Sequence, residues 1–296
     1  MIGAVDPPAP EVEITEELVR SLLAAQHPDL ADRPLTPLDA GWDNVTFRLG
    51  PDLVVRLPRR AVAAPLIVSE QRWLPELAAH LPLPVPVAVR TGVPSARYPW
   101  PWSVTPWFPG TSALAQPPAD LERAAAQLGA FVAALHRPAP AEAPANPYRG
   151  IPLADRDEQA RAAIEALGTT IDGPAALACW ARHAALPPWA GPALWLHGDL
   201  HPHNVIVHHG EVAAVIDFGD ITSGDPATDL AIAWMLLPPA ARPALRSAAG
   251  VDDGTWERGR GWALALALAY VSSPLSTPDF VRLGRATITS VLTDPT

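Results

Sequence analysis

The sequence predicts an α+β fold in two parts: a small β-rich first part, residues 1–108, and a larger, mostly helical second part, residues 109–296. Three observations carry this. Alternating apolar residues are concentrated early, as in Val45–Leu49 and Leu53–Leu57 on either side of Gly50-Pro51-Asp52. From Asp120 the spacing becomes helical, with apolar residues at 121, 124, 125, 128, 131, 132 and 135 on one face of a 3.6-residue repeat. A chain of 296 residues, 49% hydrophobic and 18% charged, can bury a sizeable core and exceeds the usual single-domain length.

The elements follow in order. Thr15-Glu16-Glu17 starts a helix that runs to about Ala25, with a hydroxyl to cap it and two acids at the positive end of its dipole. Pro28 and Pro34 break the chain before a run of short strands, of which 45–49 and 53–57 form a hairpin. A helical stretch follows from about Leu66 to His80, kinked at Pro75. Pro82, Pro84 and Pro86 stiffen the link around the next strand candidates, Val85–Arg90 and Trp102–Trp107. The first part thus reads as a meander of about five strands with one helix inserted after the third. The texture changes near Phe108-Pro109-Gly110. Beyond it the spacing predicts a helix over Leu121–His136, a Pro-rich loop over 137–154, and helices near 155–167 and 174–186. Short strands at Val205–Val207 and Val212–Ile216 precede helices near 227–237, 240–248, 255–271 and 278–292.

Composition excludes several chemistries. All 21 basic residues are arginine, so Schiff-base catalysis, pyridoxal phosphate anchoring and the lysine of a Walker A loop are ruled out. A net charge of −10 argues against nucleic acid as a partner and is compatible with a cationic small molecule. Cys179 is the single cysteine, so neither an intrachain disulfide nor a thiolate metal cage can form. Residues 1–10 lack the basic and apolar regions of a secretory signal, and the apolar runs at 232–237 and 262–271 are too short to span a bilayer. A cytoplasmic protein without membrane partners is the expectation; the sequence carries no signal of oligomeric state.

Chemistry concentrates in residues 195–230, WLHGDLHPHNVIVHHGEVAAVIDFGDITSGDPATDL. Two loops crowded with polar side chains flank two apolar strands, and a hairpin-like return brings Asp199, Asn204 and Asp217 together. One reading makes His197, Asp199, His201 and His203 ligands of a transition metal. A second uses Asn204 and Asp217 as hard oxygen ligands for Mg²⁺ while Asp199 accepts a proton from a hydroxyl. A third is a polar loop whose histidines only bond backbone. Spacing favours the second: His197-Gly198-Asp199 with Asn204 fits H-x-D-x-x-x-x-N, and Asp217-Phe218-Gly219 follows after a short hairpin.

With glycine after the histidine, and an acid after D-F-G, the segments HGDLHPHN and IDFGD resemble the aminoglycoside phosphotransferase family more closely than protein kinases. The resemblance runs from Gly41 to the last helix. It implies a bilobal protein-kinase-like fold with the nucleotide between a β-rich N-lobe and a helical C-lobe. By the matching positions, Asp199 is the catalytic base, and Asn204 and Asp217 ligate the Mg²⁺ that bridges the phosphates of ATP or GTP. Asp229 matches a buried acid that braces the catalytic loop, its plainer reading being a helix N-terminal acid. His197 and His201 support the loop, Asp220 stays near the metal or faces substrate, and His203, His208 and His209 face solvent. Gly41-Trp42-Asp43-Asn44 falls where the family covers the nucleotide, which assigns Asn44 to nucleotide binding. Arg56 stands where a phosphate-binding lysine is usual, with Glu70 as its partner. The Pro106 carbonyl and the Phe108 N–H suit adenine recognition, and Trp107 packs on the base or in the core.

The resemblance implies a small-molecule O-phosphotransferase that moves the γ-phosphate of ATP or GTP to a hydroxyl, with an aminoglycoside or other antibiotic as leading acceptor. A kinase of choline, homoserine, methylthioribose or a sugar, and a nucleotide-binding pseudoenzyme, are the alternatives. Substrate contacts are expected from the helices at 155–186 and 240–292. Their acids Asp155, Asp157, Glu158, Asp252, Asp253 and Glu257 either meet a cationic acceptor or form a solvated face.

Overall fold

The computed structural model describes residues 9–294. The first helix, α1 (Glu16–Gln26), begins where Thr15 Oγ1 accepts from the Leu18 N–H at 3.2 Å. Strands β1 (Leu35–Ala40), β2 (Asn44–Leu49), β3 (Leu53–Pro58), β4 (Arg90–Gly92) and β5 (Trp102–Pro106) form one antiparallel sheet in the order β1-β2-β3-β5-β4. Helix α2 (Ala64–Ala78) follows β3 and continues through Pro75.

The expected strand over 85–90 is displaced to Arg90–Gly92. Pro84 and Pro86 supply no N–H for a ladder, and 84–89 makes only isolated bonds, such as Val89 N–H to the Val104 carbonyl at 2.8 Å.

The rest of the chain is mostly helical: α3 (Leu121–Leu135), α4 (Asp157–Leu167), α5 (Gly173–Ala184), α6 (Ile232–Leu236), α7 (Arg242–Ala249), α8 (Asp253–Ser272) and α9 (Pro278–Leu292). Two small sheets are set among them. The β8 (Val205–His208) and β9 (Glu211–Val215) hairpin is extended by β6 (Thr111–Ser112), and β7 (Leu194–Leu196) pairs with β10 (Thr222–Gly224). The single helix expected over 227–237 divides into a 3₁₀ stretch, Pro226–Ala231, and the short α6. Strands β7 and β10, too short to show periodicity, went unseen in the sequence.

Two apolar cores result. One joins α1 to the five-stranded sheet through Val19, Leu23, Phe47, Leu57, Trp102 and Val104. The larger lies among the later helices and also takes in Leu74 and Leu77 of α2 with Leu83 and Val85, so the end of α2 is anchored in the helical part. Helix α8 is buried along most of its length and forms the centre of that part. Among the described residues, no helix is long and apolar enough to cross a membrane.

Among the polar groups buried in the helical part is a histidine. His183 of α5 has Nδ1 2.7 Å from the Cys179 carbonyl and Nε2 3.2 Å from Glu257 Oε2. Burial alone lowers its pKa, but the bonds to Cys179 and Glu257 outweigh burial and push it up to about 9. A raised histidine pKa gives stability that is complete below the unfolded value of about 6.5 and is lost as pH rises through the folded one. Urea unfolding at stepped pH should therefore show stability falling by up to about 3 kcal/mol between about pH 6.5 and 9.5, and His183→Gln should flatten that slope.

Candidate active site

The site is built around a carboxylate that touches no solvent. Asp229, in the 3₁₀ stretch, accepts from the His197 N–H at 2.8 Å and the Gly198 N–H at 2.9 Å, and His136 Nε2 donates to it at 3.2 Å. Burial raises its pKa, but the bond and charge of His136 and the backbone donation outweigh burial and hold it below the usual carboxylate range. The loop after β7 is thereby fixed at two successive peptides.

His197 completes the fixation. The Asp199 N–H donates to Nδ1 at 3.2 Å, while Nε2 lies 3.0 Å from the Ile216 carbonyl. A peptide N–H can only donate and a carbonyl can only accept, so the ring carries its proton on Nε2. His197 also packs on Phe218, ring centroids 4.5 Å apart, which ties the first loop to the second. Gly198 is required between them. Its φ is +83°, and a Cβ there would lie 2.2 Å from the Asp220 carbonyl oxygen.

Asp199 emerges from this loop with its side chain 25% exposed. His201 Nε2 donates to Oδ2 at 3.1 Å, and Arg149 Nη2 is 3.5 Å from Oδ1. Burial raises the Asp199 pKa, but His201 and Arg149 more than reverse this and hold the carboxyl well below its ordinary value. Asn204 is buried, with Nδ2 donating to the Asp199 carbonyl at 3.0 Å and its own carbonyl accepting from the Ile216 N–H at 2.8 Å. Its position is thus locked to both loops.

Asp217, two residues past β9, lies in the left-handed region, at φ +63°, where a non-glycine residue is uncommon and stored strain often accompanies function. Its side chain is 53% exposed. Arg56 of β3 bridges to it: Nη2 is 2.9 Å from Asp217 Oδ1, and Nη1 is 2.5 Å from Glu70 Oε1 on α2. One planar guanidinium thus spans two acids, which a lysine ammonium could not do in the same geometry. Burial works against the charge on Arg56, but Glu70 and Asp217 raise its pKa; burial also raises that of Glu70.

Asp220 accepts from Asn146 Nδ2 at 2.7 Å. Burial, then the neighbouring charges of Asp199 and Asp217, push its pKa up. Asp43, in the turn between β1 and β2, is also raised by burial and by Asp217 and Asp220, against the opposing pull of Arg60 at 3.2 Å. Asp220 and Asp43 thus add negative charge around Asp217. The Asp217 carboxylate and the side-chain amide oxygen of Asn204 are hard oxygen donors, the kind that suits Mg²⁺.

Among the described residues, no three His, Cys, Asp or Glu side chains are grouped to hold a metal ion. This sets aside the transition-metal reading of His197, Asp199, His201 and His203, since His197 is occupied by backbone and His203 stacks on Phe280, centroids 4.8 Å apart. His203 is half-buried rather than solvent-facing; His208 and His209 are exposed.

In the first part, Asn44 opens β2 and accepts from the Gly41 N–H at 2.9 Å, while its Oδ1 is buried without a partner among the described residues. The side chain that senses Asp217 is its neighbour Asp43. At the connector, the Trp107 N–H donates to the Asp52 carbonyl at 2.8 Å, which makes Leu53–Pro106 a non-hydrogen-bonded pair. The Pro106 carbonyl is therefore turned away from β3, beyond the last pair that β4 makes with β5. Among the described residues nothing accepts from the Phe108 N–H. Trp107 is half-buried, with the Arg48 guanidinium 4.1 Å from its ring centroid.

Arg149, Asn146, His136 and Tyr270 were not singled out in the sequence. Three lie in loops or at a helix end without periodicity, and Tyr270 sits in an apolar run that reads as core.

A sequence model of the phosphotransferase enzyme family matches residues 34–262. The chain belongs to that family. That family is one of phosphotransferase enzymes. Among solved structures, the GDP complex of an aminoglycoside 2'-phosphotransferase-IIIa is 18% identical, covers 94% of this chain and 99% of its own, and has a TM-score of 0.71. The apoenzyme of macrolide 2'-phosphotransferase MphH from Brachybacterium faecium is 23% identical over 95% of this chain and 99% of its own, TM-score 0.64. A streptomycin–ATP ternary complex of APH(2")-IIa is 18% identical over 88% and 91%, TM-score 0.60. No curated protein matches. The likeness to these structures shows the bilobal kinase-like fold.

Gly198→Ala should leave the near-UV circular dichroism of the folded protein in place yet lower turnover, read as nucleoside-diphosphate release, by at least about a hundredfold. The added methyl must displace the loop that carries Asp199, and ångström shifts at a reacting group cost that much.

Proposed function

We propose that the chain transfers the γ-phosphate of a purine nucleoside triphosphate, ATP or GTP, with Mg²⁺, to a hydroxyl of a small molecule. The observation that carries this is the pinning of the Asp199 loop by Asp229, which sets a low-pKa carboxylate beside the acid cluster at Asp217. In this reading residues up to 108 form the lobe that covers the nucleotide, and residues from 109 form the lobe that carries the catalytic loop and acceptor site.

The purine meets the Pro106 carbonyl, turned away from β3, and the Phe108 N–H, which has no acceptor among the described residues. Arg56 faces the phosphates, held in orientation by Glu70. Asn204 and Asp217 hold Mg²⁺, which when bound offsets the negative charge that the phosphates and carboxylates place together. Asp220 and Asp43 add negative potential around it without direct ligation.

Asp199 accepts a hydrogen bond from the acceptor hydroxyl and takes its proton as that oxygen bonds to the γ-phosphorus. The bond from phosphorus to the β-bridging oxygen breaks, and nucleoside diphosphate leaves. A carboxylate of depressed pKa is a weak base in the ground state, so its first task is to orient the hydroxyl. Proton transfer comes late, as expected when the transferred group is loosely bound in the transition state. His197, Asp229 and His201 act through Asp199 by fixing its loop.

An antibiotic acceptor is supported by the aminoglycosides in neighbouring solved structures. This chain's own acids offer it less support. Asp157 is engaged by Arg161 and by Trp180 Nε1 at 2.7 Å, Glu257 by His183, Asp253 by Arg246, and Asp252 caps α8.

Asp199→Asn should lower kcat by about 10²–10⁴-fold on any acceptor that supports turnover, while a titrated nucleotide analogue keeps its affinity within about threefold. Wild-type kcat in that variant contradicts the assignment of the base.

A further inference from the structure

An arginine, Arg149, flanks Asp199, its Nη2 3.5 Å from Oδ1. Arg149 reaches Asp199 from a loop that is held at several points. The Ser223 N–H donates to the Pro144 carbonyl at 3.1 Å, the Asp225 N–H to the Gly150 carbonyl at 2.8 Å, and the Gly150 N–H to Thr228 Oγ1 at 3.1 Å. A Cβ at Gly224 would lie 2.0 Å from the Gly150 oxygen, so the loop and β10 are in backbone contact. Arg149 is thus a fixed cation. Its Nη1 donates to the Tyr148 carbonyl at 3.3 Å, and its Nε is buried without an acceptor.

Arg156 stands on the other face of Tyr148's surroundings, its guanidinium 5.7 Å from that ring centroid. Among the described residues it has no ion pair, and its Nε is also buried without an acceptor. Burial, then the neighbouring charge of Arg149, lower its pKa, against a smaller opposing pull from Tyr148. It borders a cavity of about 90 Å³ between α4 and α8, with Gln159, Ala163, Ala265, Ala269 and Ser272. From the same stretch of α8 comes Tyr270, whose buried hydroxyl lacks a partner and whose pKa is raised by burial and then by Asp199.

Among the described residues, Arg149 Nε and the Tyr270 hydroxyl thus present unfilled donors near the catalytic carboxylate, and Arg156 Nε adds another next to Arg149. Like charges held together in a half-buried site are costly unless an anion joins them, and a guanidinium pairs best with a planar or tetrahedral oxyanion. A polycation would meet repulsion at the same place.

We propose that Arg149 and Arg156, with the Tyr270 hydroxyl, form an oxyanion subsite for the acceptor, which is a hydroxylated small molecule bearing a carboxylate or phosphate. This rests on the phosphotransferase reading above and specifies its substrate. The acceptor's oxyanion lies between the two guanidinium groups, and its hydroxyl reaches Asp199. The transfer step is unchanged: the hydroxyl proton goes to Asp199, the oxygen–phosphorus bond forms, and nucleoside diphosphate departs.

The test is run on the full chain with Mg²⁺ and a non-hydrolysable ATP or GTP analogue, which occupies the phosphate site of the nucleotide. Malonate and inorganic phosphate are then titrated at constant ionic strength. Saturable binding is expected, weakened about ten- to a hundredfold in Arg156→Gln and partly restored in Arg156→Lys, with analogue affinity kept within about threefold. In turnover assays, hydroxy acids and sugar phosphates form two arms that distinguish the anion. Aminoglycosides and macrolides form a third. Turnover should appear in an anionic arm, with KM rising more than kcat falls in Arg156→Gln. Intact analogue binding with no saturable oxyanion binding overturns the subsite alone, as does aminoglycoside turnover that Arg156→Gln leaves unchanged. Loss of analogue binding by the wild-type chain overturns the underlying phosphotransferase reading instead.

Discussion

The rest of the site depends on one buried carboxylate. Asp229 is placed where its two oxygens receive two consecutive backbone N–H groups and a histidine. A charge in the core would be prohibitive without such donors, and with them it becomes a rigid anchor. Because the anchored peptides are those of His197 and Gly198, the next residue, Asp199, is aimed by the main chain rather than by its own rotamer alone. Gly198 accepts the strained turn, and the Asp220 carbonyl passes where a side chain would be. The second loop is then set against the first through Phe218 on His197 and Ile216 on Asn204.

Electrostatics complete the arrangement. Asp217, Asp220 and Asp43 repel one another in part, and Arg56 relieves only Asp217. Such a cluster is a poor resting structure and a good place for a cation, since a divalent cation gains from every one of these charges. Arg56 makes two ion pairs at once, to Glu70 and Asp217, and so couples β3, α2 and the second loop.

Much of this was legible in the sequence because spacing along a hairpin converts directly into position in space. HGDLHPHN and IDFGD, separated by two short apolar strands, could hardly avoid convergence. The fold class was legible from the β2–β3 alternation and the α3 repeat. Other features lacked a local signal. The strand expected at 85–90 failed because Pro86 lacks the N–H a ladder needs, whatever the alternation suggests. Strands β7 and β10 have three residues each. His203 looked like a loop residue until Phe280, from the distant α9, was seen stacked on it. Arg149 and Asn146 come from a Pro-rich loop whose pattern predicts no contact, and their reach to Asp199 and Asp220 is a product of tertiary packing. Acids in the helices, counted along the chain, suggested a cationic acceptor; their neighbours in space show most of them engaged.

The convergence of the two loops on one nucleotide–metal site is tested most directly by calorimetric titration of a non-hydrolysable ATP or GTP analogue, with and without Mg²⁺, into the wild-type chain and Asp217→Asn. The account predicts binding that tightens at least about tenfold with Mg²⁺ in the wild type and loses that dependence in the variant. Equal affinity with and without Mg²⁺ in the wild type, or an unchanged Mg²⁺ effect in Asp217→Asn, would contradict it.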